Sequence, residues 1–201
     1  NSISAIPVHN ANKNVSWRNF TKLLFGICLG GVIGAFISVN AEKELFKNIF
    51  AFFILLVSLR MFFKIKDRAT SNDISPFITV PFGSFVGTVS TTFAIGGGIF
   101  IGPFLRLMGE TMKKAVGTSV ACTLPVGFVG AITYIYLGYN IEGLPEYSFG
   151  YVNYLSLFFI IIFSSFSSRF GAWLTQRVNE RIFQTLYALQ LVPIFIYWVL
   201  A

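Results

Sequence analysis

Charged side chains are scarce in this sequence and make up 11% of its 201 residues. A soluble domain carries about 25%, because its surface must face water. Acidic residues are rarer than basic ones, with 8 Asp and Glu against 15 Lys and Arg. Apolar residues take their place: 55% of the chain is hydrophobic, and the mean hydropathy is +0.72. The composition excludes an ordinary soluble domain. It predicts a multi-pass integral protein of the cell membrane, with the lipid bilayer as its solvent.

Residue types that serve catalysis and metal binding are also few. The chain has one histidine, His9, and two cysteines, Cys28 and Cys122, without metal-ligand spacing. A membrane-embedded enzyme would need a nucleophile–base pair or a set of metal ligands. We therefore predict no enzymatic activity, no catalytic residues, no metal and no cofactor. The cysteines are interpreted as buried free thiols, and His9 as a solvated loop residue rather than a proton-coupling group.

The net charge of +7 does not predict a nucleic-acid partner. The basic residues lie at the edges of apolar runs, where orientation signals occur in membrane proteins. No basic stripe and no nucleic-acid-binding module accompanies them. The partners expected from the sequence are a small anionic substrate, the bilayer and a second copy in a homo-oligomer.

Five apolar runs are each near the length of about 20 residues that a spanning helix needs. They are Phe20–Val39, Leu45–Phe63, Ala115–Leu137, Tyr151–Ser168 and Ile182–Leu200. The region from Pro76 to Met108 differs, because hydroxyl and small residues lead to Gly96-Gly97-Gly98, and Pro103 follows. Three consecutive glycines cost about 3 kcal/mol of helix propensity relative to alanine. This region is therefore predicted to be two helical pieces that meet at a glycine turn.

The distribution of basic residues predicts the orientation of these segments. Basic loops stay in the cytoplasm, so the segments before Phe20, after Phe63, around Lys113-Lys114 and between Arg169 and Arg181 should lie inside. The assignments agree only if the region from Pro76 to Met108 enters and leaves on the same side. The predicted fold is all-α, with about five transmembrane helices plus a glycine-rich re-entrant hairpin.

A weak internal repeat supports an inverted-repeat transporter plan. Trp17-Arg18-Asn19-Phe20 resembles Tyr151-Val152-Asn153-Tyr154, and Ile33-Gly34-Ala35 matches Phe170-Gly171-Ala172. The implied division is 1–68 as the C-terminal part of a first half and 74–201 as a complete second half. On this interpretation, a first copy of the glycine hairpin lies upstream of Asn1.

The glycine triplet also carries a resemblance to a known family. The run from Gly96 to Leu105, GGGIFIGPFL, followed by Ala115-Val116-Gly117-Thr118-Ser119, resembles the paired signature of the sulfite exporter TauE/SafE family. Two positions depart from the family pattern: Ala94, where many members extend the glycine run, and Met112, near which a proline is common. The resemblance implies a transporter of sulfite, sulfonates or related sulfur compounds, often an exporter.

The glycine turn is the predicted substrate site. A half-helix that starts at the glycines directs its N-terminal amides and partial positive charge toward the middle of the membrane, which favours an anion. The candidate binding residues are Gly96, Gly97, Gly98, Pro103, Thr118, Ser119, Thr91 and Thr92, with Ser90 approaching from the same side as the last two. The alternative is a non-transporting membrane subunit whose glycine faces only pack against partner helices.

Overall fold

The computed structural model describes residues 2–42, 48 and 75–177. The helices are α1 (Ser2–Ala11), α2 (Trp17–Asn40), α3 (Pro76–Thr92), α4 (Gly98–Leu107), α5 (Met112–Gly138) and α6 (Tyr154–Arg177), with two short strands, β1 (Ser148–Phe149) and β2 (Val152–Asn153). Three of the five predicted spans correspond to α2, α5 and α6. The other two, Leu45–Phe63 and Ile182–Leu200, lie outside the described residues.

Helices α2 and α3 pack against each other through glycines on both sides. A Cβ atom at Gly26, Gly30 or Gly34 would overlap the backbone of α3, at Val80, Ser84 and Thr88 respectively. Gly83 and Gly87 of α3 meet the backbone of α2 in the same way. Small residues let helix backbones approach closely in lipid, where apolar burial no longer drives association. Residue numbers increase in the same direction along the two contacting helices, so α2 and α3 are parallel.

Helices α3 and α4 form an antiparallel hairpin that is broken at the glycine triplet. The rings of Phe82 and Phe104 stack with centroids 3.9 Å apart, and Phe85 meets Phe100 edge to face at 5.9 Å. Residues early in α3 therefore lie beside residues late in α4. The prediction of two helical pieces meeting at a glycine turn is confirmed.

Helix α5 runs parallel to α2 and passes beside the hairpin. The N–H of Ser16, just before α2, donates to Thr118 Oγ1 at 2.8 Å. Further along, a Cβ at Gly31 would lie 3.4 Å from a methyl carbon of Val129. Since α2, α3 and α5 are parallel, their first residues lie at one end of the bundle, and α4 points back toward that end.

The buried core lies where α2, α3, α4 and α5 meet. Its members are Leu23, Ile27, Val86, Ile101, Phe104, Leu105, Ala115, Cys122 and Val126. Cys122 is a buried free thiol as predicted, whereas Cys28 is half-buried. Large apolar side chains elsewhere face outward, most of all on α6. Helices α2, α5 and α6 are each long and apolar enough to cross a bilayer.

One expectation from the sequence was wrong. His9 lies in α1, not in a solvated loop, and is 2% exposed. Helix α1 packs against α5 and α6. Besides the helices, the described residues contain one hairpin of two-residue strands, so the fold is mostly helical, as the sequence predicted. Ser148 pairs with Asn153 and Phe149 with Val152, and Gly150 turns between them with φ +58°.

Candidate functional site

The glycine turn begins where α3 ends in a left-handed residue. Ala94 has φ +53°, and the N–H of Ile95 returns to the carbonyl of Ser90 at 3.1 Å. This 6→1 bond is the Schellman arrangement, in which glycine usually occupies the left-handed position. The chain reverses direction here because a helix cannot continue through that conformation. Ala94 and Gly96 are exposed, so the backbone of the turn is accessible.

Helix α4 starts at the turn with free amides. Gly97 is its N-cap and supplies no side chain to accept from them. The N–H groups of Phe100 and Ile101 bond to the carbonyl of Gly97. Those of Gly98 and Ile99 therefore remain in the first turn without an intrahelical acceptor. Such a terminus carries about half a positive charge and is suited to an anion.

The fold requires glycine at neither end of the triplet, Gly96 or Gly98. A Cβ at Gly96 would come no closer than 3.5 Å to any atom, and one at Gly98 no closer than 3.8 Å, which are ordinary contacts. Neither residue has a positive φ. Gly97 is tighter, because its Cβ would lie 3.2 Å from Ile101 and 3.3 Å from Val86. The packing glycines of α2 differ, since a Cβ there would collide with backbone.

Helix α5 supplies the second wall of the site. Ser119 lies opposite Gly98 and Gly102, and Thr123 lies opposite Gly96. Ser119 Oγ donates to the carbonyl of Ala115 at 2.7 Å, and Thr123 Oγ1 donates to the carbonyl of Ser119 at 3.0 Å. Both hydroxyl oxygens keep lone pairs, but their protons are engaged within α5. The turn thus lies beside the middle of α5.

The three hydroxyl residues at the end of α3 have different surroundings. Thr92 Oγ1 donates to the carbonyl of Gly34 at 3.0 Å, which ties the end of α3 to α2. Ser90 Oγ and Thr91 Oγ1 are buried and find no hydrogen-bond partner within the described residues. Ser90 Oγ would lie 3.5 Å from a Cβ at Gly97, so it faces the start of α4. Thr91 Oγ1 faces the gap between Gly31 and Gly130.

The remaining predicted site residues lie further from the turn. Thr118 is fully buried, and its hydroxyl oxygen accepts the N–H of Ser16. Pro103 is half-buried within α4, in the turn of helix that follows the free amides. The structure therefore brings together Gly96, Gly97, Gly98 and Ser119, and it places Thr118 at the entry to α2.

Sequence reasoning missed Thr123 as a neighbour of the turn. Its signal was available, because Thr123 follows Ser119 by four residues and so shares its helix face.

Most charged side chains of the described residues are exposed or half-buried, and Arg106, in the last turn of α4, is buried. Lys13, Arg18, Lys113 and Lys114 are near the first residues of α2 and α5. At that same end, Asn19 Nδ2 donates to Glu110 Oε1 at 2.7 Å and joins α2 to the turn between α4 and α5. In the described part of the chain, no group of three metal-ligating side chains comes together. Among the described residues, the polar groups placed at the turn itself are peptide N–H and C=O groups and hydroxyl groups.

Long apolar helices around a broken hairpin define a helical membrane protein. The chain belongs to the Sulfite exporter TauE/SafE family, which it matches over residues 1–197. A probable membrane transporter protein of Haemophilus influenzae is 30% identical over 193 residues, covering 96% of this chain and 73% of that relative. A probable membrane transporter protein of Methanocaldococcus jannaschii is 30% identical over 191 residues, covering 90% of this chain and 67% of that relative. No solved structure is significantly similar. The family resemblance found in the sequence is confirmed.

Proposed function

We propose that this chain is part of a transporter of small sulfur-containing anions, such as sulfite or organosulfonates, and that it binds them at the glycine turn between α3 and α4. Export is the proposed direction, in keeping with the description of the family as sulfite exporters. The proposed role is transport and not catalysis.

One observation carries the proposal: Gly96 and Gly98 are glycines that the fold does not need. Glycine in a protein normally serves a positive φ, close packing of backbones or close approach of a ligand. Neither residue has a positive φ, and a Cβ would fit at both positions. Gly127, in the middle of α5, shares these two properties, but Gly96 and Gly98 differ from it because they lie at a broken helix end, where close approach of a ligand to the backbone is useful. The free amides of Gly98 and Ile99 lie at this position, where an anion would accept their hydrogen bonds.

The surroundings of the turn suit a ligand that must also leave. The available donors are the backbone amides of Gly98 and Ile99 and the hydroxyl of Ser90, and Ser119 and Thr123 line the opposite wall. A site made of dipoles holds an anion less tightly than one with paired cationic side chains. Transport requires binding that is weak enough for release.

The proposed topology has about five spans and a re-entrant hairpin whose turn lies inside the membrane. The parallel arrangement of α2, α3 and α5 supports it, because their first residues share one end with the basic residues Lys13, Arg18 and Lys113. Basic ends stay in the cytoplasm. Broken helices at membrane depth are tolerated where they line a cavity.

We further propose an inverted repeat, with 1–68 and 74–201 in different halves, in a multi-pass protein of the cell membrane. Asn19 and Asn153, which the repeat pairs, both lie at a helix start, and Asn153 Oδ1 accepts the N–H of Ser156 at 2.9 Å. Transporters of this plan bind substrate at the interface of the two halves.

A packing subunit without transport is the competing function. The glycines between α2 and α3 fit it, since they are explained by helix contact alone. It does not account for Gly96 and Gly98, because a Cβ atom at either position would make only ordinary contacts.

Flux measurements decide between the two functions. The protein in liposomes should carry sulfite or methanesulfonate faster than protein-free liposomes do. Flux equal to that of protein-free liposomes for every sulfur oxyanion tested would favour the packing subunit.

A further inference from the structure

We infer that the turn selects singly charged oxyanions over doubly charged ones and that Ser90 supplies a third hydrogen-bond donor to the bound oxyanion. The inference rests on the proposed function, because it assigns a charge class to the ligand of the same site.

Ser90 and Thr91 are the buried hydroxyl residues of the described helices that have no hydrogen-bond partner there, and of the two Ser90 is the one that faces the start of α4. Thr92, Ser119, Thr123 and Thr133 each donate to a backbone carbonyl. Ser90 is 2% exposed and has no partner within the described residues, although it is close to the start of α4. A buried hydroxyl without a partner costs about 1–3 kcal/mol. Such a cost is explained if a ligand oxygen accepts from Ser90.

Three donors without an acceptor among the described residues therefore lie at or near the start of α4: the N–H groups of Gly98 and Ile99, and the hydroxyl of Ser90, whose oxygen would be 3.5 Å from a Cβ at Gly97. A sulfonate or bisulfite ion carries its charge on three oxygen atoms around one sulfur. Three donors match three oxygens, so a ligand of this class leaves neither side with an unsatisfied group.

The charge of the site limits the charge of the ligand. A helix N-terminus supplies about half an elementary charge. The first basic residues that follow the turn in the sequence are Arg106, in the last turn of α4, and Lys113, in the first turn of α5. The cost of removing an ion from water rises steeply with its charge, and only a counter-charge offsets it. One negative charge is balanced in part by the dipole of α4, whereas a second one has no counterpart among the described residues near the turn.

A pair of anions of the same shape tests the charge selection. Methanesulfonate and methylphosphonate both present three oxygens beside a methyl group, and at an alkaline pH they carry one and two charges. Binding to the purified protein, measured by thermal-shift titration at that pH, should be at least about tenfold tighter for methanesulfonate. Equal or tighter binding of methylphosphonate would overturn the inference.

The variants Ser90→Ala and Gly98→Val separate this inference from the proposed function. Ser90→Ala should weaken methanesulfonate binding about tenfold or more, because a hydrogen bond to a charged group is lost, and Ser90→Thr should restore it. Thr133→Val, whose hydroxyl bonds within α5, is the control and should bind normally. Normal binding by Ser90→Ala would overturn the role of Ser90. Normal binding by Gly98→Val, or binding of neither anion by the unaltered protein, would instead contradict the proposed site.

Discussion

The phenol of Tyr134 donates a 3.0 Å hydrogen bond to the carbonyl oxygen of Thr91 and so joins α5 to the last turn of α3. Thr92 makes the corresponding link to α2 through the carbonyl of Gly34. The end of α3 is thereby held from two sides, while the hydroxyl of Ser90 remains free of protein partners in the described structure. The break in the hairpin is fixed in place before any ligand arrives, which lowers the cost of binding.

The two threonines at the end of α3 should respond differently to removal of the hydroxyl. Thr92→Val loses the bond to Gly34 and should destabilise the protein by about 0.5–1.5 kcal/mol. Thr91→Val removes a hydroxyl that has no partner within the described residues, so stability should be unchanged or slightly higher. Thermal unfolding in detergent measures both. Equal losses of stability would mean that the hydroxyl of Thr91 has a partner that stabilises the fold.

The glycines of α2 should be intolerant of even one methyl group. Gly30→Ala places a Cβ into the backbone of Ser84 and should cost about 1–3 kcal/mol through overpacking. Gly127→Ala in α5 is the matched control, because a Cβ there meets nothing within 4 Å. It should raise stability by up to about 1 kcal/mol, the difference in helix propensity. A neutral Gly30→Ala in the same unfolding assay would rule out the close approach of α2 and α3.

Ala94→Gly should stabilise the protein. The residue has φ +53°, a conformation that costs an L-residue about 1–2 kcal/mol and that glycine adopts freely. The expected gain is about 1 kcal/mol, because the more flexible unfolded chain offsets part of it. Ala121→Gly, within α5 and buried, is the control and should lower the melting temperature. A lower melting temperature for Ala94→Gly as well would contradict the left-handed turn.

The elements that the sequence predicted well are those fixed by local chemistry. Long apolar runs predict α2, α5 and α6, and three adjacent glycines predict the break between α3 and α4. Helix α1 was missed because it is short, contains Pro7 and is stabilised by contacts with α5 and α6 rather than by its own sequence. The β hairpin was missed because two-residue strands have no periodicity to detect.

The hydroxyl groups of the site illustrate the limit for side chains. Ser90, Thr91 and Thr92 are consecutive, and each is rotated by about 100° from the one before it. One faces α4, one faces the gap between α2 and α5, and one bonds to α2. Which residue faces the ligand depends on where the neighbouring helices lie, and a sequence without its fold does not contain that information.

The orientation follows from the shared end of α2, α3 and α5. In a background with Cys28 and Cys122 replaced by alanine, Lys113→Cys should be protected from a membrane-impermeant maleimide added outside intact cells, and Glu142→Cys should be labelled. Basic residues retain Lys113 in the cytoplasm. Lysed cells provide the control, since both positions should then react. External labelling of Lys113→Cys in intact cells would contradict the re-entrant hairpin.

Anion flux in the variant Gly98→Val tests anion binding at the glycine turn most directly. A Cβ fits at this position, since the nearest atom would be 3.8 Å away, and we expect the two methyl groups of valine to cover the amides at the start of α4. Gly127→Val, on the open face of α5, is the control for insertion and folding. We expect Gly98→Val to insert normally into liposomes and to lose at least about tenfold in sulfite or methanesulfonate flux, whereas Gly127→Val should transport normally. Unimpaired flux by correctly inserted Gly98→Val would contradict anion binding at the glycine turn.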